Sequence, residues 1–227
     1  MKTAVLIPAF NEGPRIGAIL CEIQQVFSGT ILVVDGQSSD ETVAIAESMG
    51  AVAIRQNGQG YADALRCGYQ YLLDADVERV VQLDADGQHP PCSIPRLLQA
   101  LDSADLVMAS RAGTSSPSSW NRRLGNAALA LLVRSSTGTT VQDVTSGYWA
   151  LNQKSLAILA ERMSAAVADA NIRVLAARQG LRILELPVYM PDRQGGASMH
   201  DGLAGVRHFW DSLYAVGSEL RRPSEGA

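Results

Sequence analysis

Five short apolar runs, at residues 4–7, 31–35, 52–55, 79–83 and 105–109, recur along the first half of the chain, and the stretches between them repeat apolar residues at helical spacing. Those stretches predict helices at 15–27, 41–49, 61–73 and 93–101. Runs such as Ile31-Leu32-Val33-Val34 are apolar at every position, so both faces of the strand must be covered. Strands of this kind in alternation with helices predict a mostly parallel sheet flanked by helices on both faces, an α/β architecture. Ligands then bind beyond the carboxyl ends of the strands. The polar clusters at 8–12, 35–40, 57–60 and 84–89 each follow a predicted strand and are expected to share one rim. After residue 109 the alternation weakens. Residues 113–119 read as a mobile loop placed to close over a substrate. A helical stretch, a strand at 147–151, helices within 153–179 and a strand at 181–189 follow.

With 227 residues, 47% hydrophobic and 19% charged, the chain can bury one large core, and no linker or low-complexity tract divides it. Residues 1–220 are predicted to be a single domain and 221–227 a disordered tail. The net charge of −4 provides no global basic field, which argues against nucleic acid as a partner. Cys21, Cys67 and Cys92 show no paired or metal-ligand spacing and read as plain buried thiols of a reducing compartment. The apolar run at 4–7 is too short for a signal peptide, and no run approaches the roughly 18 apolar residues of a membrane span. The expected location is the cytoplasm, with any membrane contact made peripherally or through a membrane partner subunit. Residues 120–136 set Leu124, Ala128, Leu131 and Leu132 beside Arg122, Arg123 and Arg134, a pattern of either a core-facing helix or one resting on anionic lipid.

The chemistry is concentrated in Asp84-Ala85-Asp86-Gly87-Gln88-His89, directly after the apolar Val80-Val81. If the strand continues through it, side chains alternate, so Asp84 and Asp86 point one way and Ala85 the other. Two carboxylates and the Gln88 carbonyl suit Mg2+ or Mn2+, hard cations that keep positions open for water and substrate phosphate. An isolated D-x-D is more often an ordinary acidic turn. Other motifs decide between the two.

Ile7-Pro8-Ala9-Phe10-Asn11-Glu12, Val33-Val34-Asp35-Gly36-Gln37-Ser38-Ser39-Asp40 and the Asp84 motif together resemble the inverting family 2 glycosyltransferases of the GT-A fold, a single Rossmann-like domain. Ser110-Arg111, Asp143-Val144-Thr145-Ser146-Gly147-Tyr148, Glu185-Leu186-Pro187-Val188 and Arg193-Gln194-Gly195-Gly196-Ala197-Ser198 resemble the dolichol-phosphate mannose synthase branch. The resemblance spans residues 4 to 198. It implies transfer of a sugar from a UDP- or GDP-sugar to a polyprenyl phosphate. It also implies that Pro8, Ala9, Asn11, Glu12, Asp35, Asp84, Ala85 and Ser198 contact the nucleotide sugar, with Glu12 accepting from ribose hydroxyls and Asp35 meeting the base. Asp84, Asp86 and Gln88 match the metal triplet. Arg111 and Arg193 match phosphate-binding positions, for which bidentate guanidinium geometry is suited, and Asp86 and Asp143 complete the expected catalytic group. Arg123 is a further candidate for a phosphate contact.

Two readings stay open at several of these positions. Residues 35–40 also fit an Asx-type turn in which Asp40 caps the next helix. Asp143 is either a general base or a residue that holds its loop. A base is required for a hydroxyl acceptor, with His200 second in line, but not for a phosphate whose second pKa is about 6. The chain also departs from the family pattern. It has Asp35-Gly36-Gln37 for Asp-Asp-Gly, Gly58-Gln59-Gly60 for Gly-Lys-Gly, and Met199 for a lysine after Ser198. Loss of these cations favours the alternative acceptor, a hydroxyl of a soluble small molecule. A non-catalytic nucleotide-sugar-binding module is a third reading, and intact Asp84, Asp86 and Gln88 count against it.

Overall fold

The computed structural model describes residues 1–115, 120–138, 142–144, 146–163, 170–191 and 202–221, with side chains described in these except at 120–126, 128, 136 and 202–209. The elements run β1 (Thr3–Ala9), α1 (Gly13–Val26), β2 (Thr30–Asp35), α2 (Thr42–Ser48), β3 (Val52–Arg55), α3 (Tyr61–Asp74), β4 (Arg79–Gln82), α4 (Ile94–Ala100) and β5 (Leu106–Ser110). Then come α5 (Trp120–Thr137), β6 (Trp149–Asn152), α6 (Gln153–Arg162), α7 (Ala170–Arg178), β7 (Ile183–Pro187) and α8 (Gly202–Arg221). Each of the predicted strands is present, with ends moved by at most two residues. The helix α8 runs one residue past the predicted domain end, and residues 222–227 lie outside the described residues.

The strands form one α/β sheet in the order β3-β2-β1-β4-β6-β5-β7. β1 pairs in parallel with β2 and β4, β2 with β3, and β5 with β7. β6 is antiparallel to both its neighbours, β4 and β5. The chain leaves β5 at the carboxyl end of the sheet and enters β6 from that same end, so no crossover precedes it and the strand must run back. This reversal carries residues 142–144 and 146–148 onto the rim where β1, β2 and β4 also end.

Side-chain alternation divides the core. Leu6, Leu32, Val34, Val80, Met108 and Trp149 pack against Leu65, Tyr69 and Leu72 of α3, Leu156 and Leu159 of α6, and Ile172 and Leu175 of α7. On the other face, Val5, Ile7, Val33, Val81 and Val107 meet Ile16, Leu20 and Ile23 of α1, Ala46 of α2, and Ile94 and Leu97 of α4. Each fully buried aliphatic side chain contributes about 1.5–3 kcal/mol. α3 lies against the sheet at Gly68, where an added Cβ would stand 2.4 Å from Leu6 Cδ1 and 3.0 Å from Val34 Cγ2. That close approach brings Tyr61 and Tyr69 of α3 against the end of β4.

A smaller cluster joins Leu129 and Val133 of α5, Val174 of α7, Val216 of α8 and Val144. Among the described side chains α5 turns Leu129 and Val133 into this cluster, with Leu132 of the predicted stripe packed against it and Leu131 exposed; the side chains of Leu124 and Ala128 lie outside the described residues. The cysteines are free thiols, but Cys21 and Cys92 are exposed, contrary to expectation, because each falls on the outer side of its segment. No helix among the described residues is long and apolar enough to cross a membrane.

Candidate active site

The loops after β1 and β2 hold each other by reciprocal hydrogen bonds. Asn11 takes the left-handed backbone (φ 54°), a region that asparagine tolerates better than most residues. Its N–H donates to Ser38 Oγ (2.8 Å) and its Oδ1 accepts from the Ser39 N–H (2.9 Å). Ala9 C=O accepts from Gly36 N–H at 2.8 Å, and Asp35 C=O from Gln56 N–H at 3.1 Å. Pro8 and Ala9 are buried in β1 beneath these loops. The Glu12 carboxylate accepts from the Arg15 guanidinium at 2.7 Å and its N–H donates to Thr42 Oγ1 at 2.9 Å.

Asp35 is fully buried, with both carboxylate oxygens facing the Ser38 N–H (3.1 and 3.2 Å) and Arg55 Nε 3.5 Å away. This is the Asx-type turn. Asp40 accepts from the N–H and hydroxyl of Thr42 and from the Gly13 N–H (2.9 Å), which ties the start of α2 to that of α1. The Thr42 hydroxyl bond above all holds the Asp40 carboxyl below its ordinary range. The cap residue of α2 itself is Glu41, so Asp40 serves the first helical N–H from one residue before it.

The acidic motif does not continue the strand. β4 ends at Gln82, the Leu83 N–H still reaches Leu6 C=O at 3.0 Å, and the chain then turns at Ala85-Asp86 with Gly87 at φ 79°. Strand alternation therefore does not place the two carboxylates; the turn does. Ala85 is buried, as expected. Asp86 is also buried, and its Oδ1 accepts from the Gln88 N–H at 2.9 Å. The Gln88 amide nitrogen lies 3.4 Å from Pro191 C=O, which leaves Oε1 as the accepting end. His89 is buried and stacked on Tyr148 with centroids 5.0 Å apart. Its Nδ1 accepts from the Asp84 N–H at 2.9 Å, which places the ring proton on Nε2. The Asp84 Oδ1 accepts from the Tyr61 hydroxyl at 2.8 Å.

These residues fit a hard cation. The available donors are oxygens, and among the described residues no group of three or more His, Cys, Asp or Glu forms a closed cage. Beside them Gly147 leaves a cradle, since an added Cβ would stand 2.8 Å from Tyr61 Oη and 3.1 Å from Asp84 Oδ2. Two carboxylates and one amide oxygen, with the rest supplied by substrate, is the Mg2+ or Mn2+ pattern.

Across the rim, Asp143 is buried and its Oδ2 accepts from the Arg111 N–H (3.1 Å), with Arg111 Nη1 3.4 Å away. The Asp143 and Gln142 N–H groups donate to the Glu185 carboxylate at 2.9–3.2 Å. Burial pushes the Glu185 carboxyl up. Arg173, fully buried, donates to the Val144 carbonyl at 2.9 Å and to that of Asp143. The Asp143 carboxylate thus orients Arg111, and two charged residues from α7 and β7 hold the Asp143 backbone.

Arg193 and Ser198, with Met199 and His200, lie outside the described residues, as do residues 116–119 of the predicted closing loop and the side chain of Arg123. Sequence reasoning missed Tyr61, Gln82 and Arg173. A lone arginine among Ile172, Val174, Leu175 and Ala176 was a usable signal for the last, because a cation on an all-apolar helix segment needs buried acceptors.

The mostly parallel sheet with an acidic turn after β4 and a reversed β6 defines a GT-A glycosyltransferase fold. It superposes on glucosyl-3-phosphoglycerate synthase from Mycobacterium tuberculosis, solved with Mn2+, UDP and glucosyl-3-phosphoglycerate, with a TM-score of 0.73 at 20% identity, over 99% of this chain and 82% of that one. Residues 4–159 match Glycosyl transferase family 2, and the chain belongs to that family. It is 30% identical over 219 residues to an undecaprenyl-phosphate mannosyltransferase of Micrococcus luteus, covering 90% of each chain. It is 31% identical over 223 residues to a dolichyl-phosphate hexose transferase of Haloferax volcanii, covering 96% of this chain and 95% of that one. The protein is a glycosyltransferase.

Proposed function

We propose that the protein transfers a sugar, with inversion, from a UDP- or GDP-sugar to the phosphate of a polyprenyl lipid, working at the cytoplasmic face of a membrane that it contacts peripherally. Asp84, Asp86 and Gln88 would hold Mg2+ or Mn2+, which when bound neutralises charge on the departing nucleoside diphosphate. Pro8, Ala9, Asn11, Glu12, Asp35 and Ala85 line the donor side, and Glu12 and Asp35 would exchange their present partners for nucleotide donors on binding. Arg111, with Arg193 and Ser198, supplies donors to phosphate oxygens.

One observation carries the choice of acceptor. Asp143, the carboxylate best placed to serve as a base, is committed to Arg111. A phosphate monoester arrives largely ionised and needs no base, so positioning and electrostatics suffice. The names of the two full-length relatives point the same way. The cations absent at Gln59 and Met199 support the second reading, a soluble hydroxyl acceptor.

The test is a mass-spectrometric transfer assay with Mn2+ or Mg2+, a panel of UDP- and GDP-sugars and a short polyprenyl phosphate, beside a metal-free control. A metal-dependent glycosyl phospholipid is the expected product. Nucleotide release with no lipid product, restored by a soluble polyol, moves the acceptor to a hydroxyl.

A further inference from the structure

Asp84 terminates a directed chain of hydrogen bonds that starts under the sheet. Tyr61 and Tyr69 stand eight residues apart on one face of α3, and Gln82, the last residue of β4, lies between them. The Gly147 carbonyl is 3.0 Å from Gln82 Nε2. A carbonyl only accepts, so it fixes which end of the Gln82 amide is the nitrogen. The oxygen end then faces Tyr69, whose hydroxyl must donate to it. Burial, and after it the charge on Asp84, hold that hydroxyl protonated well above the ordinary phenol range. The second amide N–H goes to Tyr61 Oη at 3.1 Å, which commits the Tyr61 proton to Asp84 Oδ1 at 2.8 Å. Tyr69, Gln82 and Tyr61 are all neutral, so they orient the carboxylate without neutralising it.

We infer that Tyr69, Gln82 and Tyr61 form a positioning relay that sets the rotation of the Asp84 carboxylate for a divalent cation, so that Tyr69, three hydrogen bonds away, tunes metal affinity. The inference rests on Asp84 being a metal ligand, as in the function proposed above. Partners of ligating carboxylates typically change metal affinity 10- to 100-fold when removed.

The experiment is a direct Mn2+ titration, read by electron paramagnetic resonance of the free ion in the presence of UDP, on the full-length wild type and the Y61F, Y69F and D86A variants. Half-saturating Mn2+ for turnover is measured alongside. D86A is expected to lose Mn2+ binding, Y61F to weaken it about 10-fold or more and Y69F several-fold. In the tyrosine variants turnover is expected to recover at saturating Mn2+, a recovery that general loosening of the fold would not give. If D86A loses binding while Y61F and Y69F stay within twofold of wild type, or raise only the KM for the donor, the relay is overturned and the metal site stands. Unchanged binding in D86A overturns the metal site and the relay with it. Should Y69F fail to fold, Y61F alone decides.

Discussion

Two aspartates at opposite ends of the sheet are held in different ways. Asp105, just before β5, accepts from the Arg182 N–H (2.9 Å), from its guanidinium (3.1 and 3.3 Å) and from the Asn152 amide (2.9 Å). Asp84, just after β4, accepts at 2.8 Å from a neutral phenol, that of Tyr61. A guanidinium cancels the charge it binds, which suits a residue that only staples β5, β6 and β7 together. A phenol aims a carboxylate and leaves its charge for a cation. Asp143 combines both manners, since it is paired with an arginine on the rim itself.

The comparison breaks most visibly in Asp86→Ala, where metal-dependent turnover is expected to fall by about 1000-fold or more while the melting temperature stays near wild type, because metal stabilisation of a leaving group is worth several kcal/mol. Unchanged turnover would remove the cation from the rim. Asp143→Asn sharpens it. The amide oxygen can still accept from the Arg111 N–H, so a phosphate acceptor predicts a loss of about 10-fold, whereas a base role predicts about 1000-fold; kcat on the identified acceptor separates the two. Gly147→Ala, which pushes a methyl against Tyr61 Oη and Asp84 Oδ2, is expected to raise half-saturating Mn2+ by roughly 10-fold with little change in unfolding midpoint.

Asp105→Asn gives the opposite signature: turnover unchanged, and stability lower by about 2 kcal/mol in chemical denaturation. This loss also has a pH dependence. The Arg182 hydrogen bonds hold Asp105 well below its ordinary value of 3.8, so the folded carboxylate binds its proton less readily than the unfolded one. Its contribution is therefore complete above about pH 5 and drains away as pH falls through 3.8 toward the lower folded value. Wild type and Asp105→Asn are expected to differ by a constant amount from pH 7 to 5, and the gap is expected to narrow progressively as pH falls below 4. A gap that does not narrow at all with acidification would assign the stabilisation to packing.

What was legible in the sequence follows from the range of the interactions. The central strands were readable because runs such as Ile31-Leu32-Val33-Val34 are apolar on both faces, and loops such as 8–12 and 35–40 were placed on one rim by parallel topology alone. The direction of β6 was not, since it depends on where the chain after β5 returns. The strand reading of Asp84 and Asp86 failed for a related reason. Gln82 turns its amide inward to Tyr69 and Gly147, partners 13 and 65 residues away in sequence, and the chain leaves the ladder there. The Arg173 and Glu185 clamp on residues 142–144 likewise needs α7 and β7 folded beside β6 before it has any meaning.

The reversed β6 also sets an order of events. β4 and β5 are neighbours in sequence but not in the sheet, because a strand made some 40 residues later must wedge between them. As the chain emerges during synthesis, β1 to β4 can pair at once, yet β4 remains an open edge until residue 152 has left the ribosome. The loops after β1 and β2 can thus be shaped early, while Gly147 and Asp143 reach the rim only with β6, and the hold on Asp143 by Arg173 and Glu185 comes later still, with α7 and β7. A chain stalled between β5 and β6 would present the open edge of β4 beside a wholly unpaired β5, a sticky intermediate whose lifetime is set by the speed of translation.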